Sequence, residues 1–440
     1  MNRNPAYAPT TVRHASSGTP SSGHGRTAVI GGGAAGMTAA IFAAASGGDV
    51  TLYERNGPAK LGRKLGITGK GRCNLTNDCG INVFLENVPT NPRFLYSAFT
   101  RFPPADVMAW FGGLGVKLKV ERGRRVFPES DRASDIVTAL TSELARRGVR
   151  VCGAFVSSVE RAGDCFCVRS SAGESFFSSV IIATGGCSYR ATGSDGSGYR
   201  ISEALGHTVI PPRAALVPLV CEGGICRRLQ GLSLKNVTFC VRRVSDGSTV
   251  FEEFGELLFT HFGLSGPVVL TASSVIGGSV APGGYTAEID LKPALSREIL
   301  DARLLSDFSA ELNRDFSNSL NALLPSKLIP VFIERTGIDP DKKVNSITRA
   351  ERERVLRLLK SFDVPISGLR PVDEAIVTSG GVSVSEINPA TMESKLFPGL
   401  FFAGEIIDVD GLTGGFNLQI AWSTGRLAGI CAAERSAGLV

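Results

Sequence analysis

Residues 27–36 have the sequence TAVIGGGAAG, in which a short apolar run leads directly into the pattern G-x-G-x-x-G. The run predicts a buried strand, and residues 37–45 predict the helix that follows it. Each glycine has a structural role in such a turn: Gly31 permits the tight turn, Gly33 lets the backbone approach a pyrophosphate, and Gly36 lets helix and strand pack closely. The stretch therefore predicts a Rossmann-type turn that binds a dinucleotide at a helix N-terminus.

The sequence after the turn supports this prediction. Residues 50–53 predict a second strand that ends at Glu54, 18 residues after Gly36. A carboxylate at this point can accept hydrogen bonds from both hydroxyls of an adenosine ribose and repels a 2′-phosphate, which favours FAD or NAD over NADP. The alternative is a glycine-rich loop that packs a helix on a strand without any ligand.

Length and composition indicate a globular enzyme. The chain has 440 residues, enough for two or three domains, with 43% hydrophobic residues and a mean hydropathy of +0.12. Fifty-two glycines and only 7% aromatic residues favour a turn-rich α/β protein over a helical bundle. Because no apolar run reaches the ~18 residues of a membrane span, no membrane partner is expected.

Residues 1–25 differ from the rest of the chain. They are rich in Ser, Gly, Pro and Thr, contain two arginines and no acid, and lack apolar periodicity, which predicts a disordered tail. No apolar stretch of about 7–15 residues supports a secretory signal, so an organelle transit peptide is the alternative. With Arg26, the tail supplies half of the net charge of +6. The remaining charge does not by itself indicate nucleic-acid binding.

The cysteines and histidines predict neither a disulfide framework nor a metal site. Ten cysteines are scattered without a C-x-x-C pair, and four histidines lie far apart in the sequence. Scattered thiols in a long chain favour the reducing cytoplasm. Zinc would need ligands at closer spacing.

The pattern along the chain predicts one split α/β domain with two inserted regions. Segments 26–208 and 371–440 carry the strand–turn–helix patterns of this domain. Residues 209–295 alternate short β-branched or apolar runs, among them 267–271, with turns, as in a β-barrel or sandwich. Residues 296–370 carry helical stripes and predict a small helical subdomain.

Two further segments are expected to face the same ligand. Residues 55–77 contain six basic residues, five glycines and no acid. We expect a long irregular loop that faces an anion or lies against the cofactor, with a solvated basic loop as the alternative. Residues 417–433 predict the closing helix, whose N-terminus can point at a second part of the cofactor.

Four motifs in chain order resemble one known family. The BaiN-type FAD-binding proteins, also described as aminoacetone-oxidase-like NAD(P)/FAD-dependent oxidoreductases, are similar to this chain over nearly all of residues 26–435. The motifs are GITGKGRCNLTN at 66–77, IATGG at 182–186 with TGSDGSGY at 192–199, LFTHFGLSGP at 258–267, and FAGE at 402–405 with GGFNLQIA at 414–421. The resemblance implies an α/β fold: a split Rossmann-like FAD-binding domain of the two-dinucleotide-binding-domain type, with an inserted β-barrel-like domain and a small helical subdomain.

The resemblance also implies how the chain holds FAD. Glu54 would bind the adenosine ribose and Glu405 the ribityl chain. The N–H groups of residues 416–418 would meet the N1–C2=O edge of the flavin, where a reduced flavin carries negative charge. Lys64 and residues 69–74 would run along the cofactor towards the ring. The implied cofactor-binding residues are Gly31, Gly33, Ala34, Ala35, Gly36, Glu54, Arg55, Lys64, Gly69, Gly71, Arg72, Cys73, Asn74, Val156 (at the adenine), Thr184, Gly185, Gly186, Gly404, Glu405, Gly415, Phe416, Asn417 and Leu418.

Departures from related flavoproteins narrow the mechanism. The chain lacks a redox cysteine pair close after the first Rossmann helix, which disfavours disulfide reduction. No second complete G-x-G-x-x-G lies in the middle of the chain, so either NAD(P)H docks transiently at the flavin or another electron donor serves. Glu405 stands where many related flavoproteins have Asp, one methylene shorter.

Cys73, His261 and Arg72 are the candidates for chemistry beyond the cofactor. Cys73 lies near Arg72 and Lys70 in the sequence, where positive charge lowers a thiol pKa; a buried packing cysteine is the alternative. His261 is either a group at the active site or a structural hydrogen-bonding residue. Arg72 would bind an anionic substrate or the cofactor.

Three functions fit this pattern. The first is an FAD enzyme that uses NAD(P)H to reduce a conjugated C=C bond of a small molecule. The second is reduction of uridine to dihydrouridine in ribosomal RNA, which the resemblance implies for part of the family and which basic residues at 55–72 and 227–243 would support. The third is an amine oxidase that uses oxygen. A flavin-binding scaffold without enzymatic activity is the remaining alternative.

Overall fold

The computed structural model describes residues 25–277 and 280–438. The tail predicted for residues 1–25 lies, apart from Gly25, outside the described residues. The helices are α1 (Ala34–Ala45), α2 (Arg63–Gly71), α3 (Ile81–Glu86), α4 (Tyr96–Arg101), α5 (Pro104–Gly113), α6 (Ala133–Arg146), α7 (Ser197–Ala204), α8 (Ile225–Arg228), α9 (Pro267–Ile276), α10 (Arg297–Ala310), α11 (Phe316–Ser319), α12 (Ile329–Thr336), α13 (Arg349–Lys360) and α14 (Phe416–Ser436). The strands are β1 (Arg26–Ile30), β2 (Asp49–Tyr53), β3 (Thr76–Asn77), β4 (Leu118–Glu121), β5 (Arg125–Pro128), β6 (Arg150–Cys152), β7 (Val156–Ala162), β8 (Cys165–Ser170), β9 (Gly173–Phe177), β10 (Ser179–Ile182), β11 (Val209–Ala215), β12 (Leu219–Cys221), β13 (Ser233–Arg243), β14 (Thr249–Phe259), β15 (Gly263–Ser265), β16 (Tyr285–Asp290), β17 (Phe362–Leu369), β18 (Val377–Val382) and β19 (Leu400–Phe402).

A parallel sheet of five strands, in the order β19-β10-β1-β2-β6, forms the centre of the α/β region. Ile30 at the end of β1 pairs with Tyr53 on one side and with Ile182 on the other, and Ile182 pairs with Phe402. The carboxyl ends of these strands therefore meet at one edge, where an open α/β sheet binds its ligand. The predicted Rossmann-type fold is confirmed.

Helix α14 packs directly against α1 through two glycines. A Cβ atom at Gly425 would lie 2.5 Å from the Ala35 carbonyl oxygen, and one at Gly429 would lie 2.3 Å from that of Ala39. Both distances are too short for any larger residue, so the glycines permit the close approach. The contacts run in the same direction along both helices, which are therefore parallel and point their N-termini to the same side.

The β-rich region is a closed barrel of six strands in the order β12-β15-β14-β13-β16-β17. Three fully buried phenylalanines, Phe239, Phe259 and Phe362, belong to its core. Helices α10–α13 lie between β16 and β17 in the chain, so the helical region is inserted between two barrel strands. The predicted helical range 296–370 thus includes a barrel strand, because pairing with the distant β12 and β16 decides the conformation of β17. The other predicted domain limits stay predictions.

Residues 267–271, predicted as a β run, instead begin helix α9. Pro267 occupies the first turn of this helix, where its missing N–H removes no hydrogen bond. The apolar residues Val268 and Val269 are buried on the helix. An apolar run this short does not distinguish a strand from a buried helix, which explains the wrong prediction.

Residues 55–77, predicted to be irregular, contain helix α2. The buried side chain of Leu65 anchors this helix, although glycines surround it in the sequence. The helical conformation stops at Thr68, and Gly69 and Lys70 adopt positive φ of 56° and 60°. The segment is therefore an ordered helix followed by a left-handed turn.

Within residues 25–277 and 280–438, no helix combines the length and the apolar character needed to cross a membrane. The same ranges contain no group of three or more His, Cys, Asp or Glu side chains placed to hold a metal ion. The ten cysteines are free thiols.

Candidate functional site

A cavity of about 360 Å³ lies at the carboxyl edge of the parallel sheet. Its walls come from the turn after β1, the residues that follow β2, β10 and β19, helix α2 and the start of α14. Residues next to β11 and β18, the paired strands near the junction with the barrel, also line the cavity. The cavity thus extends from the Rossmann turn to this junction.

The Rossmann turn leaves room for a pyrophosphate. A Cβ atom at Gly36 would lie 1.8 Å from the Gly31 carbonyl oxygen, and one at Gly31 would lie 2.5 Å from the Ala183 carbonyl oxygen, so both positions require glycine. A Cβ atom at Gly33 would meet nothing within 4 Å. No side chain among the described residues caps the N-terminus of α1, so its first N–H groups remain available to an anion.

Glu54 and its neighbours form the end of the cavity beside β2. The Glu54 carboxylate is buried and accepts hydrogen bonds from the N–H of Gly32 at 3.2 Å and the N–H of Asn56 at 2.9 Å. Arg55 pairs with Asp195 at 2.6 Å and stacks on the ring of Phe155 at 4.7 Å. These contacts fix a carboxylate and an aromatic wall where a nucleoside would lie.

Lys64 and Glu405 form an ion pair in the middle of the cavity. Lys64 Nζ lies 2.7 Å from Glu405 Oε2, while Glu405 Oε1 accepts from the Thr378 N–H at 2.8 Å and from the Ser188 hydroxyl at 3.1 Å. Burial alone would raise the pKa of Glu405, but Lys64 and these hydrogen bonds outweigh it and hold the pKa below its ordinary value. Glu405 is therefore a carboxylate at neutral pH.

The start of α14 borders the other end of the cavity. No side chain caps this helix, and the Asn417 side chain instead holds the preceding loop, donating to the Gly411 carbonyl at 2.6 Å and accepting from its N–H at 2.8 Å. In the amide orientation that satisfies its neighbours, Asn74 accepts from the Gly415 N–H at 3.0 Å. A Cβ atom at Gly415 would lie 2.4 Å from the Thr76 carbonyl, which requires glycine there.

These features fit FAD. The cavity joins a carboxylate for a ribose, an open glycine turn with free N–H groups for a pyrophosphate, and a second uncapped helix start for the electron-rich edge of a flavin. The predicted cofactor-binding residues that line it are Gly31, Gly33, Ala34, Ala35, Glu54, Arg55, Lys64, Gly69, Asn74, Val156, Thr184, Gly185, Glu405, Gly415, Asn417 and Leu418. The predicted residues that are not among the described residues of the lining are Gly36, Gly71, Arg72, Cys73, Gly186, Gly404 and Phe416.

Cys73 does not fit the role of an activated thiol. Its side chain is fully buried, and burial raises its pKa to about 12. The positive charges near it in the sequence do not reach it, since Arg72 turns away to pair with Glu121 and Asp131 and to stack on Phe127 at 4.1 Å. The prediction of a lowered thiol pKa is wrong, and the guanidinium of Arg72 is committed to these partners.

His261 lies in the loop between β14 and β15, and its side chain is exposed to solvent. Its ring contacts that of Phe262, with a distance of 4.9 Å between the ring centres. It is not among the described residues that line the cavity. The structure therefore does not bring the three candidates for chemistry together.

Several lining residues were missed by sequence reasoning. Thr192, Gly193 and Ser194 line the cavity, although they belong to a motif for which the sequence predicts no cofactor contact. Leu216 and Ile376 gave no signal in the sequence, because they border the site only through the pairing of β11 with β18.

Comparison with known proteins supports the geometry. The family described as HI0933-like protein Rossmann domain matches residues 25–431. A 3-dehydro-bile acid delta(4,6)-reductase of Clostridium scindens is 32% identical over 418 residues, covering 93% of this chain and 99% of that protein. Ribosomal RNA dihydrouridine synthase of Escherichia coli is 33% identical over 400 residues, covering 90% of this chain and 95% of that protein.

Among solved structures, a variant of the FrdA chain of Escherichia coli quinol fumarate reductase has the same overall fold. The TM-score is 0.51 at 16% sequence identity, over 94% of this chain and 71% of that chain. At this identity the likeness concerns the fold alone.

Proposed function

The chain belongs to the HI0933-like family of FAD-dependent oxidoreductases, and we propose that it reduces a C=C bond conjugated to a carbonyl group in a small molecule, with NAD(P)H as hydride donor. The proposal rests on the apolar side chains among the residues that line the cavity, which include Leu216, Ile376 and Leu412. Apolar lining residues suit an uncharged conjugated acceptor and keep water from its reacting carbons. The name of the relative from C. scindens, a reductase of a bile acid, supports the same class of reaction.

The residues of the chain would bind and orient the reactants. FAD, when bound, supplies the hydride chemistry. The turn at Gly33 would hold its pyrophosphate, Glu54 its ribose, and the start of α14 would stabilise negative charge at the ring edge. The described lining of the cavity contains no cysteine. No thiol of the lining could therefore take part in a thiol–disulfide exchange.

NAD(P)H would reach the flavin without a domain of its own. In the described ranges, the five-stranded sheet is the one parallel sheet, and its Rossmann turn is assigned to FAD. A transient donor that docks from the open side of the cavity is consistent with this arrangement. Ten free thiols support a working location in the reducing cytoplasm.

Reduction of uridine in ribosomal RNA is a second candidate, and a basic rim favours it. We define the basic rim as Lys70, Arg122, Arg124 and Arg125, all exposed and, within the described chain, none paired with an acid. Asn77 Nδ2 donates to the carbonyls of both Gly123 and Gly414, at 3.0 and 3.1 Å, which places the rim beside the start of α14. Exposed cations at this point suit a phosphate backbone.

An anaerobic experiment separates the candidate functions. The flavin of the purified holoprotein is reduced with NADH or NADPH and then mixed with a conjugated enone, with unmodified ribosomal RNA, or with air. The proposal expects rapid reoxidation by the enone and slow reoxidation by air. Reoxidation by RNA alone would transfer the assignment to the second candidate. Flavin reduction by an amine but by neither nicotinamide would contradict both and support an oxidase.

A further inference from the structure

Leu216 has a strained backbone at the cavity wall. It follows the last residue of β11, is 1% exposed and lines the cavity, yet its φ is +53°. A bulky residue rarely adopts this left-handed conformation, because its Cβ atom crowds the backbone. Strain of this kind persists only where the surrounding structure imposes it, and it concentrates at binding sites.

Two serines of α9 hold this strained segment in place. The Leu216 N–H donates to Ser274 Oγ at 3.0 Å, and the Val217 N–H donates to Ser273 Oγ at 2.9 Å. Ser273 is fully buried and itself donates to the Leu270 carbonyl at 2.8 Å. A helix of the barrel region therefore fixes a residue that lines the FAD-binding cavity.

The Leu216 segment is also tied to the middle of the cavity. The Leu216 carbonyl accepts from the Ile376 N–H at 3.3 Å, and the Ile376 carbonyl oxygen lies 3.4 Å from Ser188 Oγ. That hydroxyl lies 2.7 Å from Lys64 Nζ and 3.1 Å from Glu405 Oε1. Leu216 and Ile376 thus form one apolar wall on the barrel side of the Lys64–Glu405 pair.

We propose that Leu216 is a specificity-determining residue: its side chain, held in the cavity by Ser273 and Ser274, admits a flat conjugated acceptor over the flavin and excludes one with bulk out of the plane. A glycine would adopt the same backbone conformation without strain. The strain is therefore the cost of placing a leucine side chain at this point of the cavity wall. Only the chemical class of the acceptor rests on the proposed function. The effect of the Leu216 side chain on which ligands fit can be tested by measuring ligand binding, without any turnover.

The test measures ligand binding to the oxidised holoprotein by the change in visible flavin absorption. Phenol and para-tert-butylphenol serve as flat and bulky probes, since phenols stack on flavins and neither is reduced. The wild type is expected to bind phenol at least about tenfold more tightly than the bulky probe. A ligand that is one or two methyl groups too large for a pocket loses about this much affinity. Leu216→Ala should bring the two dissociation constants within about threefold of each other.

Two further variants keep the test independent of folding defects. Ser274→Ala leaves the Leu216 side chain intact but removes the acceptor of its N–H, so the backbone relaxes and discrimination should fall as in Leu216→Ala. Ile210→Ala truncates a residue of β11, the strand that precedes Leu216; this residue is 39% exposed and is not among the described residues that line the cavity, and the variant should retain wild-type discrimination. FAD content is measured for each variant.

The outcomes separate this inference from the proposed function. If both Leu216→Ala and Ser274→Ala discriminate between phenol and para-tert-butylphenol as the wild type does, Leu216 does not determine specificity. The absence of any spectral response of the wild type to phenol would also overturn the inference. If Leu216→Ala and Ser274→Ala lose discrimination as expected while no enone reoxidises the reduced flavin, the role of Leu216 is supported and the proposed reaction is contradicted.

Discussion

The Lys64–Glu405 pair offers a sharp test of the site because it joins segments 341 residues apart. Replacement of Lys64 by Met keeps most of the side-chain volume and leaves the Glu405 carboxylate without its cation. The two side chains are 25% and 20% exposed. Loss of one partner of a fully buried pair costs about 3–5 kcal/mol, and this partial exposure reduces our expectation to about 2 kcal/mol of unfolding free energy.

The pH dependence of this loss has a defined sign. The pKa of Glu405 in the folded protein lies below its ordinary value of 4.5, so the charged carboxylate contributes stability above that pH and loses it as the pH falls through the folded pKa. Without Lys64 the folded pKa rises. The difference in stability between wild type and Lys64→Met should therefore be largest near neutral pH and shrink as the pH falls below 4.5.

Urea unfolding of the apoprotein at several pH values measures this effect. Glu405→Gln and the double variant complete a cycle, in which we expect a coupling of about 2 kcal/mol at neutral pH because the residues are in direct contact. Additive single effects, or a Lys64→Met deficit that does not shrink as the pH falls below 4.5, would contradict a stabilising ion pair.

Three further predictions follow from the packing, the buried thiol and the basic rim. Gly429→Ala places a Cβ atom 2.3 Å from the Ala39 carbonyl and should cost about 2 kcal/mol in urea unfolding, whereas Gly112→Ala, with nothing within 4 Å, should be neutral or stabilising; equal effects would contradict the close helix packing. Cys73→Ala should keep the flavin turnover rate within about twofold, because the Cys73 side chain is fully buried and is not among the described residues that line the cavity; a loss of turnover with FAD still bound would contradict this. Arg124→Gln should reduce the slope of log affinity for RNA against log salt by about one if RNA binds at the rim, and an unchanged slope would place RNA elsewhere.

The sequence predicts the parts of this molecule that depend on neighbouring residues. The glycines of residues 31–36 and the acid at Glu54 follow a strand–turn–helix pattern of short range, and the register of Ile30 with Tyr53 brings them to one edge as expected. The fold class, the family resemblance and the FAD-dependent oxidoreductase activity are confirmed. The individual cofactor contacts stay predictions, although most of the predicted residues line the cavity.

The parts that the sequence did not predict depend on contacts between distant segments. Strand β17 pairs with β16 across an insertion of four helices, so the sequence pattern places its range with the helical region. The burial that raises the pKa of Cys73 cannot be read from the charges beside it in the sequence. Leu216 lines the site because Ser273 and Ser274, far along the chain, hold its backbone.

We expect the cavity to bind the whole length of FAD, from the adenosine at Glu54 to the flavin at the start of α14. The direct measurement is the dissociation constant of the apoprotein for FAD and for FMN, in the wild type and in Gly33→Ala. We expect FAD to bind at least about 100-fold more tightly than FMN, since FMN lacks the adenosine half, and we expect Gly33→Ala to weaken FAD more than FMN, which keeps only one of the two phosphates. Equal affinity of the wild type for FAD and FMN would contradict this expectation.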